Sequence, residues 1–337
     1  MDFRPTPGEE ASRETPPLPG RQNRGMARAS MREELLALFR NTERTARASS
    51  GMHAVAGELR LNATSQSTYL RRFLQQGARS PSLAASGLAG LDDRLDGGFG
   101  PGLHLVLGPP GAGKTAFLDS VAWEAVCRER PVLYYTLREG GLGTWERLIT
   151  ALGHILGGPT VSLKAFRAHA LAPEELRTVS RLDLAWQTAV LPYLSLVETV
   201  PSYADTLSAL IDDIRLQARE AAERHGKIPL LLIDDLDRLL QVTRARPLPL
   251  LLSRLDSVLT ADLMPGLLAA TARDRSARSL EELPVQTELA LEPVSASAGD
   301  DLEHIDLQVR SHARGGWTGT LPLLLDRCSG LFAQASA

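Results

Sequence analysis

Residues 108–116 read GPPGAGKTA, in which Gly108, Gly113, Lys114 and Thr115 satisfy the spacing GxxxxGK[ST]. A loop made of Gly108, Pro109, Pro110, Gly111, Ala112 and Gly113 can turn successive backbone N–H groups toward one anion. Lys114 then brings a compact ammonium to the β and γ oxygens of a triphosphate, and Thr115 offers its hydroxyl to magnesium. Ala116 continues a helix whose N-terminal end carries partial positive charge. Only three lysines occur among 37 basic residues, Lys114, Lys164 and Lys227, so a lysine here runs against the composition. Arginine, bulkier and forked, is not equivalent at such a place.

Magnesium held in this way needs a carboxylate from a neighbouring buried strand, usually acting through water. PLLLIDDLDRLL supplies one: Asp234 ends an apolar run that starts after Pro229 and reads as a strand buried on both faces. The expected metal residues are therefore Thr115 and Asp234, with ATP and Mg2+ as the expected ligands. Asp235 and Asp237 follow closely and are equally consistent with ordinary loop acids.

The elements that must position these groups alternate. HLVLG, VLYYTL, LSLVE, PLLLID and GLLAAT read as short buried strands, and IDLQVRS and TLPLLLD as a final hairpin around HARGGW. Helices are expected over 115–128, 144–156, 173–190, 202–224 and 250–261. Strands alternating with helices specify a parallel sheet with crossovers.

Bulk properties bound the partners. A chain of 337 residues with 43% hydrophobic content can bury one large α/β core plus a small appendage. The net charge of -3 gives no global pull toward nucleic acid or membrane, so such contacts must come from local patches. Cys127 and Cys328 stand far apart without a metal-binding spacing, which fits a reducing cytoplasm. The N-terminus lacks the pattern of a secretory signal and no apolar run reaches membrane-spanning length, so a cytoplasmic protein without membrane contact is expected. Residues 1–30 are proline-rich and aperiodic, and read as a disordered tail. Residues 31–81 read as a helical arm: Leu35, Leu36, Leu38 and Phe39 form an apolar face, with Arg40, Arg44 and Arg47 at helical spacing. That arm is either a solvated helical face or a docking element for a protein partner or a phosphate backbone.

SGLAGLDDRLDGGFGPGLHLVLGPPGAGKTAFL resembles the entry to RecA-like ATPases of the DnaB-type helicase branch, with KaiC and RadA proteins as cousins. Leu91, Asp92, Gly97, Gly98 and Gly102 occupy the family's places ahead of the phosphate loop, and the likeness runs over roughly residues 83–335. It implies an α/β fold of the RecA-like P-loop NTPase type, with a twisted, mostly parallel sheet flanked by helices. The short helical N-terminal arm lies outside that domain, which spans 82–337. It further implies a homo-oligomer, ring or filament, with nucleotide between subunits. The chain has less room than a replicative helicase needs for its larger N-terminal domain, so a role other than the main replicative enzyme is expected.

Three departures bear on chemistry. In the family the second strand ends in a pattern like SLEM, whose glutamate polarises the attacking water; here TLRE puts Arg138 at that place and Glu139 one residue later. Glu139 is the candidate base if the strand tip bends or bulges. Asp235 is the alternative acid, and the family's polar residue after the fifth strand becomes Thr271 followed by Ala272. The hairpin motif K.R.G.TG becomes HARGGWTG, with His312 for the lysine and Arg314 kept as the catalytic arginine offered to a neighbouring subunit's ATP. Arg244, Arg246, Arg273 and Arg275 fall on the loops that would face single-stranded DNA. Two readings stand: an ATPase that moves along or remodels single-stranded DNA, and a KaiC-like nucleotide-gated scaffold or switch with weak or no hydrolysis.

Overall fold

The computed structural model describes residues 83–156, 161–198, 207–243, 248–271, 285–294, 302–312 and 317–335. The segment 1–82, with its expected tail and arm, lies outside them.

After a short helix α1 (Ala89–Arg94), strand β1 (Gly102–Gly108) feeds the phosphate loop and helix α2 (Lys114–Cys127). Then come β2 (Val132–Thr136), α3 (Gly140–Leu156), α4 (Leu163–Arg167), α5 (Pro173–Ala185) and β3 (Leu194–Val197). The second half holds α6 (Leu207–His225), β4 (Leu230–Asp234), α7 (Leu236–Thr243), α8 (Leu248–Ala261) and β5 (Pro265–Thr271). Four strands close the chain: β6 (Val285–Pro293), β7 (Leu302–His312), β8 (Gly319–Asp326) and β9 (Leu331–Gln334).

The nine strands of the described residues form one sheet in the order β3-β2-β4-β5-β1-β6-β7-β8-β9. Neighbours are parallel from β3 to β6 and antiparallel from β6 to β9. The parallel strands β1, β2 and β4 are buried along their whole length, which is why they read as unbroken apolar runs. Alternate residues serve two cores. Tyr134, Leu230 and Leu232 pack on the α2 and α3 side, whereas Tyr135, Leu231 and Ile233 pack on the α6 and α8 side.

The expected strands and the final hairpin are present. Helix α3 starts at Gly140, ahead of the expected Thr144, and α5 gives way after Ala185 to a π-helical turn, Trp186–Val190. Strands β6 and β9 and helices α1, α4 and α7 add to the elements expected from periodicity.

The glycine-rich approach to β1 has a structural explanation. Asp92 Oδ1 accepts from the Ser86 amide at 2.7 Å, and Ala84 and Phe99 exchange backbone hydrogen bonds of 2.8 Å each. At Gly98, φ is +126° and a Cβ would stand 2.4 Å from the Ala84 carbonyl oxygen, so only glycine lets this strap close under β1. On the other side of the site β9 folds back on α2: the Phe332 amide donates to Ser120 Oγ at 3.0 Å, and its ring meets Phe117 edge-on. The antiparallel end of the sheet thus braces the helix that begins at Lys114.

Candidate phosphate-binding site

Gly108 ends β1 and Lys114 opens α2, so five residues, Pro109, Pro110, Gly111, Ala112 and Gly113, join strand to helix. Gly111 and Gly113 take φ of +82° and +83°, left-handed values that favour glycine, and the Ala112 amide between them donates to the Pro109 carbonyl at 3.2 Å. At Gly113 a Cβ would also stand 2.9 Å from the Phe332 ring. Pro109, Pro110 and Gly111 are exposed, whereas Ala112 and Lys114 are buried beneath them. The Lys114 ammonium donates to the carbonyls of Gly108 at 2.9 Å and Pro109 at 2.8 Å, which holds it inside the loop's curve. Burial pulls this ammonium below its ordinary value and the charge of Arg138 adds to the effect, while the carboxylates of Asp234, Asp235 and Asp237 oppose it.

Thr115 Oγ1 donates to Asp234 Oδ2 at 2.9 Å, joining the first turn of α2 to the tip of β4. Asp234 is 4% exposed, and burial pushes its carboxyl up to about 6 against the opposing Thr115 hydrogen bond. A buried acid with one neutral hydroxyl donor is under-compensated, and a cation would relieve it. Together with an all-oxygen donor pair this fits magnesium, which takes one or two protein oxygens and keeps several waters. The Lys114 ammonium and the N-terminus of α2 fit a polyphosphate. Ala116 follows at the third position of α2.

The tip of β2 differs. Thr136 pairs in register with Asp234 and ends the strand, and residues 137–139 form a turn into α3. Glu139 is exposed in that turn, and its Oε2 accepts from Arg147 Nη1 and from Arg167 Nη2, the latter at 2.9 Å. Arg147 also donates to Asp119 Oδ2 at 2.8 Å, and Asp119 Oδ1 accepts from the Tyr134 hydroxyl at 2.9 Å. Burial opposes the Arg147 charge, yet the Asp119 carboxylate holds its guanidinium above the usual arginine value. Burial likewise raises Asp119 against the pull of Arg147. Sequence reasoning missed this network; the available signal was Asp119, an acid on the otherwise apolar α2 stretch FLDSVAW. Asp235 accepts from the Arg238 amide at 2.7 Å and so caps the start of α7. Thr271 ends β5 opposite Gly108.

Lys114, Thr115 and Asp234 are therefore brought together, with Glu139 engaged by two arginines beside them. Arg314, Arg244, Arg246, Arg273 and Arg275 lie outside the described residues.

A family model described as "AAA domain" matches residues 96–273, more than half of the chain, and so takes in both the phosphate loop and Asp234. The chain belongs to the AAA domain family. Among curated proteins none matches this AAA domain protein. Among solved structures it is similar to one described as an ATPase domain, at 16% identity and a TM-score of 0.56, with 82% of this chain and 100% of that one covered. It is also similar to a DnaB-like replicative helicase solved for its interactions with primase, at 15% identity and a TM-score of 0.59, with 94% of this chain and 77% of that one covered. At these identities the likeness establishes the fold: this AAA domain protein has the RecA-like P-loop fold of DnaB-type ATPase domains. Among the described residues no helix is long and apolar enough to cross a membrane.

Proposed function

We propose that the chain binds ATP with magnesium at the phosphate loop and hydrolyses it as a homo-oligomer, ring or filament, that acts on single-stranded DNA. The observation that carries the nucleotide reading is the Thr115–Asp234 hydrogen bond of 2.9 Å at the head of α2, one residue from the buried Lys114 ammonium. When bound, magnesium would supply charge neutralisation for the phosphates. Lys114 would hold the β and γ oxygens, Thr115 and Asp234 would fix the metal's ligands and waters, and the loop amides would orient the chain of phosphates. Arg314, brought by a neighbouring copy, would neutralise charge developing on the γ-phosphate, and Glu139 would orient the attacking water after leaving its arginine partners. The DNA and oligomer parts of the reading are supported by the likeness to a DnaB-like replicative helicase. Arg244, Arg246, Arg273 and Arg275 are the proposed DNA contacts, and residues 31–81 the proposed arm for a protein partner.

A second reading, a nucleotide-gated scaffold with slow hydrolysis, is favoured by the engagement of Glu139 with Arg147 and Arg167 and by Arg138 at the base's usual place. Steady-state ATP turnover with and without single-stranded DNA, with Lys114→Ala as the blank, separates the two. DNA-stimulated turnover that Lys114→Ala lacks is the expected result. Tight MgATP binding and assembly without turnover would leave the scaffold.

A further inference from the structure

Beyond Lys114, Thr115 and Asp234, one more oxygen at this end of the sheet has no assignment. Thr136 is 2% exposed, and its Oγ1 is buried without a hydrogen-bond partner. A hydroxyl left so is costly, and a β-branched valine would fill the same volume in a strand whose other members are Val132, Leu133, Tyr134 and Tyr135. Packing alone therefore gives no reason for threonine.

The register says where the hydroxyl looks. Thr136 and Asp234 are directly paired in parallel strands, so their side chains leave the sheet on the same face. Two residues earlier on that face, Tyr134 reaches Asp119 of α2, and Asp234 itself reaches Thr115 in the first turn of the same helix. Thr136 thus shares with Asp234 the wedge between the sheet's C-terminal edge and the start of α2.

We propose that Thr136 Oγ1 is a positioning residue for magnesium: it hydrogen-bonds a metal-bound water beside Asp234, completing a set of three protein oxygens with Thr115. Magnesium gives up its waters reluctantly, and the groups that orient those waters tune affinity without touching the metal. A threonine suits this role because its hydroxyl can accept from or donate to water as the shell requires. No charge is added to a wedge that already holds an uncompensated carboxylate.

This inference rests on the MgATP reading, and the test separates the two. A methylanthraniloyl-ATP titration of the full chain is run with excess magnesium and again in EDTA, for wild type, Thr136→Val, Thr136→Ser and Lys114→Ala. Thr136→Val is expected to weaken binding about tenfold in magnesium and not at all in EDTA, with Thr136→Ser close to wild type. Equal affinity of Thr136→Val and wild type in magnesium, or an equal loss in both conditions, would overturn the assignment of Thr136. Wild type binding no nucleotide in either condition would instead overturn the phosphate-loop reading itself. Folding is checked by thermal melting without nucleotide: Thr136→Val should melt at or above wild type, because it loses an unpaired buried hydroxyl. A clear drop would mean that the hydroxyl has a structural partner within the protein, against the proposal.

Discussion

The tips of β2 and β4 are neighbours in one sheet, Thr136 opposite Asp234, and each brings an acid to the edge that carries the phosphate loop. Their fates are opposite. Asp234 is buried within the last residue of β4 and receives one neutral hydroxyl, whereas Glu139 stands three residues past β2 in an exposed turn and receives two guanidiniums. An acid already neutralised by its own protein has little pull on an incoming cation; one stranded by burial has much. On the proposed function, the contrast leaves the acid that would hold a metal under-compensated while Glu139, the proposed water-orienting acid, is engaged by arginines.

The largest expected effect strikes the β2 side. Arg147→Leu leaves Asp119 buried with only the Tyr134 hydroxyl, and should cost about 3–5 kcal/mol in chemical denaturation. A loss within experimental error would mean that the Arg147 guanidinium does not hold the buried Asp119 carboxylate and that the two strand tips do not differ in this way.

Next in size is Glu139→Gln. If Glu139 leaves Arg147 and Arg167 to orient water, turnover should fall by about a hundredfold while MgATP affinity holds. If turnover in the wild type is real and survives the change, Glu139 serves only as an ion-pair partner, and the hydrolytic role passes to another group.

The smallest effect concerns Asp234 and pH. Its folded-state value of about 6 lies above the ordinary 3.8, so between the two the folded protein binds more protons than the unfolded chain. Stability contributed through this group therefore falls as pH rises through that window, and the cost is complete above about 6. In EDTA, Asp234→Asn removes that cost, so its melting temperature relative to wild type should rise from about pH 4 to about pH 7. A difference flat across this range would contradict the burial argument.

Legibility in the sequence follows the same division. GPPGAGKT and Asp234 could be read because their meaning lies in contiguous spacing and in an apolar strand with one acid at its end. Strands β1 to β5 are legible for the same reason. Strand β6 was hidden because Gln286, Thr287, Glu288 and Glu292 break its apolar run, and β6 earns its place only by pairing with β1 on one side and β7 on the other. Helix α7 was masked by its acids: Asp235, which reads as a loop acid, is the cap on which the helix starts. The position of Glu139 was legible only as a question, since TLRE fixes the one-residue offset but not its partners. Arg147 and Arg167 reach it from α3 and α4, 8 and 28 residues away, and no local pattern encodes such a meeting.

We propose that one buried ammonium, one hydroxyl and one under-compensated carboxylate, those of Lys114, Thr115 and Asp234, grip a magnesium triphosphate. Calorimetric titration of the full chain with ATP in excess magnesium, beside Lys114→Ala, tests it most directly. Saturable binding by wild type below about 1 mM, lost in Lys114→Ala, is the predicted result. No heat of binding from folded wild-type protein, or equal binding by Lys114→Ala, would contradict it.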